Sequence, residues 1–203
     1  MSLINLGVNA TKAGEKTAAL APTREGVELY RELVEADPVK RLPGFASGLN
    51  NLGSRLSLAG EQWEALSFLR EAVDIRRALV EVDPIAYRAE LATTLSNASS
   101  QFALVGEVPA ALAFAHEAVE ILRGHARADP VAYLPAFARC LWRLACVQSA
   151  HGMLERADAR REVLAAMDES CGIYRSLAAE WPGIYAEEYE VMAKARESLV
   201  GGD

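Results

Sequence analysis

The chain has 203 residues, of which 51% are hydrophobic and 24% charged, and its net charge is −7. This balance is typical of a globular protein and excludes an intrinsically disordered chain. No large basic cluster is present, and nucleic acid is not an expected partner, because phosphate neutralisation needs grouped lysines and arginines.

Membrane association and secretion are not expected either. No apolar run approaches the roughly 20 residues that span a bilayer. Residues 1–16 lack the basic region and apolar core of a signal peptide. The three cysteines (Cys140, Cys146 and Cys171) form no Cys-x-x-Cys pair, as expected for reduced, mostly buried thiols. We therefore predict a cytoplasmic protein.

One pattern recurs along the chain with a period of 46 residues. It relates Asn5-Leu6-Gly7 to Asn51-Leu52-Gly53 and to Asn97-Ala98-Ser99. The same spacing separates four glycines, Gly14, Gly60, Gly106 and Gly152, and three Asp-Pro pairs, Asp37-Pro38, Asp83-Pro84 and Asp129-Pro130. A fixed period of this size is the signature of a solenoid built from stacked helix pairs.

The Asp-Pro pairs and glycines divide residues 1–203, taken as one domain, into repeats. An Asp-Pro pair predicts a helix start, because the carboxylate accepts hydrogen bonds from the first turn and proline suits the first helical position. Each glycine predicts the end of the first helix of a repeat, helix A, before the second, helix B. The predicted parts are a partial repeat at 1–37, repeats at 38–83, 84–129 and 130–181, and a capping helix at 182–200.

The first repeat is partial. Leu3, Leu6 and Gly7 match the apolar stripe of the next helix A, but residues matching the first half of that helix are missing. Either the array is a piece of a longer one, or a shortened helix forms its edge. Pro22 predicts a kink or a delayed start in helix B of this repeat.

The next two repeats place apolar residues on one stripe of each helix. Residues 38–83 carry Phe45, Leu49, Leu52, Gly53 and Leu56 in helix A and Ala65, Leu69, Ala72, Val73 and Leu79 in helix B. Residues 84–129 carry Leu91, Leu95, Ala98 and Phe102, then Ala111, Ala115, Ala118 and Ile121. The additional prolines Pro43 and Pro135 predict irregular starts of their A helices.

The last repeat departs from the period. Pro130 and Pro182 are 52 residues apart, which we attribute to a lengthened helix B. Its predicted apolar stripe is Ala157, Leu164, Met167, Cys171, Tyr174 and Ala178.

A second, polar stripe lies beside the apolar stripe of each helix A. It comprises Ser47, Asn50, Asn51 and Ser54, then Thr93, Ser96, Asn97 and Ser100, then Arg139, Trp142, Arg143 and Cys146. The segment from Leu91 to Gly106 contains no charged residue, whereas a helix face open to bulk solvent normally carries Lys and Glu. The pattern therefore predicts a sheltered, concave surface lined by A helices.

This stripe is the candidate binding site. An asparagine amide both donates and accepts, which suits a bound peptide backbone. Arg139 and Arg143, one turn apart, suit a carboxylate, and Trp142 suits an aromatic anchor. The alternative is that the small polar residues only bridge neighbouring repeats and the arginines are solvated. The candidate peptide-binding residues are Asn50, Asn51, Ser54, Thr93, Asn97, Ser100, Arg139, Trp142 and Arg143.

The spacings resemble the tetratricopeptide repeat. The residues that carry the resemblance are Leu49, Leu52, Gly53, Leu56, Ala65, Leu69 and Ala72, and then Leu95, Ala98, Ser99, Phe102, Ala111, Ala115 and Ala118. The period exceeds that family's usual repeat of about 34 residues. The long helices resemble the kinesin-light-chain subtype and bacterial (actinobacterial) arrays. In kinesin-light-chain repeats the matching asparagines line a peptide groove, which implies such a role for Asn51 and Asn97.

We predict an all-α, right-handed α-solenoid of about four helix hairpins plus a C-terminal capping helix. It is expected to be a non-catalytic scaffold without metal or cofactor, because the histidines are scattered and no catalytic motif is present. The predicted function is binding of a partner's peptide in the groove of the A helices. One alternative is a self-assembly module that dimerises through an apolar edge near Leu3, Leu6 and Leu20. Another is a peptide-sensing regulatory domain.

Overall fold

The structure is a computed structural model that describes residues 20–150 and 155–200. Within these ranges every element of the structure is a helix, which confirms the predicted all-α repeat fold. The predicted positions Leu3, Leu6, Gly7, Gly14 and Gly152 lie outside the described residues. The eight helices of the described residues are α1 (Leu20–Ala36), α2 (Pro38–Ala59), α3 (Gln62–Val82), α4 (Pro84–Leu104), α5 (Val108–Ala128), α6 (Pro130–Ala150), α7 (Ala157–Glu180) and α8 (Pro182–Val200).

These helices fall into two compact units, whose described parts are residues 20–114 and residues 115–200 without 151–154. In the first, the N-terminal unit, α1 packs on α2, α2 on α3 and α3 on α4, and α2 also contacts α4. In the second, the C-terminal unit, α6 packs on α7 and α7 on α8. Neighbour-on-neighbour packing within each unit is what a repeat of helix pairs requires. The assignment of residues 1–203 to one domain stays a prediction.

The predicted helix starts at the Asp-Pro pairs are confirmed. Asp37 accepts a hydrogen bond from the backbone N–H of Lys40 at 3.3 Å. Asp83 accepts two, from Ile85 at 3.1 Å and Ala86 at 3.0 Å, and Asp129 accepts one from Ala132 at 3.1 Å. Each carboxylate therefore satisfies backbone donors that have no partner inside the helix.

The predicted glycine stops are confirmed at two positions. Gly60 follows α2 with φ 89°, and Gly106 follows α4 with φ 86°. Both angles lie in the left-handed region, which glycine enters without the steric cost of a Cβ. The glycines thus turn the chain from helix A into helix B.

The prolines disturb the helices less than predicted. The expected irregular starts are wrong, since α2 runs from Pro38 through Pro43 and α6 runs from Pro130 through Pro135. Pro43 is only the sixth residue of α2, where a missing N–H removes a single backbone hydrogen bond near the helix start. Pro22 is the third residue of α1, whose described part begins at Leu20.

The predicted apolar stripes form most of the core. Every residue predicted for α2, α3 and α4 is buried, from Phe45 and Leu49 to Phe102. In α5 the stripe ends on Leu122, which is buried, and not on Ile121, which is half-buried.

Helix α7 differs from its predicted apolar stripe. It has 24 residues against 21 in α3 and 21 in α5, so it is longer than the other B helices. Its predicted stripe was wrong at Ala157, which is exposed, whereas Leu164, Cys171 and Ala178 are half-buried and Cys171 packs against the core. In the other repeats the 46-residue period relates each buried position to one in the previous repeat. The extra residues between Pro130 and Pro182 break this relation. The buried residues of α7 are Ala159, Val163, Met167, Ser170, Tyr174 and Leu177.

Candidate functional site

The N-terminal unit presents the polar stripe of α2 to solvent. Ser47, Asn51 and Arg55 are exposed at successive turns of the helix, so they form one row. Asn50 and Ser54 lie beside this row and are half-buried. Arg55 extends the row with a cation that sequence reasoning did not assign to it.

An asparagine pair links the stripes of α2 and α4. The Asn97 side-chain nitrogen donates to the Asn50 side-chain oxygen at 3.1 Å, across 47 residues of sequence. This contact bridges neighbouring repeats, as the alternative interpretation of the stripe expected. The bridge fixes α2 against α4 and leaves the exposed amide of Asn51 beside it.

The stripe hydroxyls donate to their own helices. Ser54 donates to the Asn50 carbonyl at 2.9 Å, Thr93 to the Ala89 carbonyl at 3.1 Å and Ser100 to the Ser96 carbonyl at 3.4 Å. Their hydrogens are thereby occupied, and what they offer outward is an acceptor oxygen. Of these three, Thr93 is exposed. Ser96 of the predicted polar stripe is buried, with its side chain 5% exposed.

Helix α3 contributes a buried arginine to this face, which the sequence analysis missed. Arg76 is 5% exposed, and its Nη2 donates to the Ser47 Oγ at 2.6 Å. Its Nε is buried and has no hydrogen-bond partner among the described residues. The signal that would have found it is an arginine on the apolar face of helix B, between Val73 and Leu79.

The environment of Arg76 is poor for a cation. Burial lowers the pKa of the Arg76 guanidinium, and the Glu90 carboxylate and the Tyr87 hydroxyl of α4 oppose this shift. The group stays charged, since the ordinary pKa of arginine is far above neutrality. Among the described residues its hydrogen-bond partner is the neutral hydroxyl of Ser47. A buried cation compensated in this way is costly for the fold.

The remaining candidates belong to the C-terminal unit. Arg139 is exposed and Arg143, one turn later, is half-buried. Burial lowers the pKa of the Arg143 guanidinium; the Cys140 thiol opposes the shift and the charge of Arg139 adds to it. The two cations also act on Tyr174 of α7. Burial raises the pKa of the Tyr174 hydroxyl, and the charges of Arg139 and Arg143 oppose this rise.

Trp142 is more a core residue than a free anchor. It is half-buried and packs against two clusters, one formed around Tyr174 and Met192 and the other around Val163 and Met167. Its indole therefore connects α6 to α7 and α8. Only the remaining part of its surface is left for a partner.

The cysteines have the properties of packed thiols, as predicted. All three are free; Cys140 is buried and Cys146 and Cys171 are half-buried. Burial raises the pKa of the Cys146 thiol to about 11, with the charge of Arg143 opposing the shift. Cys146 is therefore protonated at neutral pH, and a thiol in this state is a poor nucleophile.

Successive helix pairs with shared caps and a shared apolar stripe define an α-helical repeat protein. Residues 45–86 match the family model of the tetratricopeptide repeat. The match covers 42 of the 203 residues and, with the run of consecutive helices in the described residues, supports a repeat of the tetratricopeptide type. Repeats of this family are non-catalytic scaffolds that generally mediate protein–protein interaction. No curated protein matches the chain. In the part of the chain that the structure describes, no helix is both long and apolar enough to span a bilayer.

Proposed function

We propose that the polar face of α2 and α4 binds a peptide segment of a partner protein. The observation that carries the proposal is the exposed Asn51 beside the Asn50–Asn97 bridge, whose hydrogen bond is 3.1 Å long. The bridge holds two helices of the face in a fixed spacing, which lowers the ordering cost of binding. The Asn51 amide then offers one acceptor and two donors to a peptide backbone.

The test begins with the oligomeric state, measured by size-exclusion chromatography with light scattering, and continues with a peptide-display selection on the same sample. We expect a monomer that selects peptides. Asn51→Ala should weaken their binding about tenfold, the effect of losing roughly 1.4 kcal/mol of hydrogen bonding. Gln62→Ala is the matched control, because it removes an exposed amide at the start of α3.

A selection that yields no peptide contradicts the proposal. So does a set of peptides that bind Asn51→Ala as tightly as the native protein. The double variant Asn51→Ala, Asn97→Ala is less diagnostic than Asn51→Ala alone, because loss of Asn97 also breaks the bridge between α2 and α4.

A second candidate function is self-assembly through α1. Leu29 is 54% exposed and Leu33 is 43% exposed, four residues apart on one face of the helix. Leu20, which was predicted at this edge, is instead half-buried against the core of the N-terminal unit. If α1 mediates assembly, light scattering will show a concentration-dependent dimer, and Leu29→Ser with Leu33→Ser will return it to a monomer.

A further inference from the structure

We infer that the peptide bound by this face is acidic and that Arg76 receives one of its carboxylates. The inference deepens the proposed function and rests on it. It is carried by two independent features of the N-terminal unit: the charge of α2 and the incomplete hydrogen bonding of Arg76.

The charge of α2 departs from that of the whole chain. The protein has a net charge of −7, yet α2 carries Lys40, Arg41 and Arg55 and no acidic residue. Lys40 and Arg55 are exposed. Cations on one helix of an acidic protein favour a partner of opposite charge, because complementary potentials steer association and suppress wrong partners.

Arg76 adds a buried donor to the same face. Its guanidinium lies directly beneath exposed Ser47, to whose hydroxyl Nη2 donates at 2.6 Å. A guanidinium presents five N–H donors in a planar fork that fits a carboxylate. A carboxylate seated beside Ser47 accepts the Nη2 hydrogen bond that the Ser47 hydroxyl now accepts, and it places a negative charge in direct contact with the guanidinium.

The equivalent position of the next helix B contains an aliphatic residue. One period after Arg76 the chain carries Leu122, which is 1% exposed. An aliphatic side chain therefore fits this position of helix B. The arginine incurs a desolvation cost that leucine avoids, and a bound anion offsets that cost.

The experiment is a double-mutant cycle on a peptide selected by display against the native protein. The dissociation constant is measured for that peptide and for its form with Glu→Gln and Asp→Asn changes. The proteins are native, Arg76→Leu and Arg88→Leu. Arg88 is an exposed arginine of α4, so its variant loses the same charge without touching the buried site. Arg76→Gln is measured alongside, because it keeps a donor at the buried position.

We expect the native protein to prefer the acidic peptide by about tenfold or more, as a charge-assisted contact provides. The preference should fall to about twofold in Arg76→Leu and Arg76→Gln and remain in Arg88→Leu. Asn51-dependent binding without an acidic preference, or with one that survives both Arg76 variants, overturns the inference and leaves the proposed function intact. Failure to select any peptide contradicts both.

Discussion

Two buried serines differ in whether the hydroxyl has a hydrogen-bond partner. Ser99 of α4 is 0% exposed, and its Oγ has no partner in the described part of the chain. Ser170 of α7 is equally buried, but its Oγ donates to the Ala138 carbonyl at 2.8 Å. An unsatisfied buried hydroxyl costs stability, whereas a satisfied one contributes to it.

The serine pair gives a prediction with opposite signs. Ser99→Ala should raise the free energy of unfolding by about 1 kcal/mol, and Ser170→Ala should lower it by about 1 kcal/mol. Both values come from chemical denaturation monitored by circular dichroism. A destabilised Ser99→Ala protein would mean that the hydroxyl has a partner, such as a buried water.

Glycine is required at one helix crossing. A Cβ on Gly53 of α2 would lie 2.7 Å from Leu69 Cγ and 3.1 Å from the Ala65 carbonyl oxygen, both on α3. We therefore expect Gly53→Ala to lower the free energy of unfolding by about 1–3 kcal/mol.

The control for Gly53 is Gly172. A Cβ there meets nothing within 4 Å, and the residue lies inside α7. Gly172→Ala should stabilise the protein by up to about 1 kcal/mol, because alanine has the higher helix propensity. Equal effects of the two substitutions in thermal unfolding would show that α2 and α3 are not in close contact at Gly53.

We expect Arg76 to lower the stability of the fold while it contributes to peptide binding. Arg76→Leu removes a buried, poorly compensated cation, and we expect the free energy of unfolding to rise by about 1–2 kcal/mol. Thermal unfolding checks this directly. A lower melting temperature would contradict this expectation, because it would show that the hydrogen bond to Ser47 outweighs the cost of burial.

At the scale of the element, the Asp-Pro starts can be tested through one cap. Asp83 is the strongest choice, because its carboxylate accepts from both Ile85 and Ala86 at the start of α4. Asp83→Ala should lower the free energy of unfolding by about 1 kcal/mol. Asp83→Asn should retain most of the stabilisation by the cap, since asparagine also caps helices. An alanine variant as stable as the native protein would mean that Pro84 alone sets the helix start.

The helices were predictable because their signals are local. Asp37, Asp83 and Gly60 act within one turn of their own backbone, so their effect can be argued from the sequence around them. The stripe of α7 was not predictable in the same way. The extra length between Pro130 and Pro182 broke the period, and composition alone did not mark Ser170 as a buried residue.

The site was predictable only in part, because its contacts cross between helices. The Asn50 and Asn97 positions followed from the period, but their mutual hydrogen bond depends on the stagger of α2 against α4. Arg76 lies on an apolar stripe, where a long side chain is expected to reach out to solvent. That its head instead remains beneath Ser47 is a property of the packing.

At the scale of the whole molecule, charge predicts how binding responds to salt. The net charge of −7 opposes an acidic partner, while the cations of α2 attract it locally. Exposed charges beyond about 8–10 Å are screened at physiological salt, so the local attraction should dominate there. We expect affinity for an acidic peptide to fall as sodium chloride is raised from that level. Isothermal titration calorimetry at several salt concentrations measures this, and an affinity independent of salt would contradict it.

The most direct test of the binding face is a nuclear magnetic resonance titration of the ¹⁵N-labelled protein with a selected peptide. Saturable shifts are expected in the side-chain amide of Asn51 and in the backbone amides around Ser47, Thr93 and Asn97, with little change in α1. Shifts confined to α1, or to helices α6–α8, would show that the partner binds elsewhere and that the polar face of α2 and α4 serves only to join neighbouring repeats.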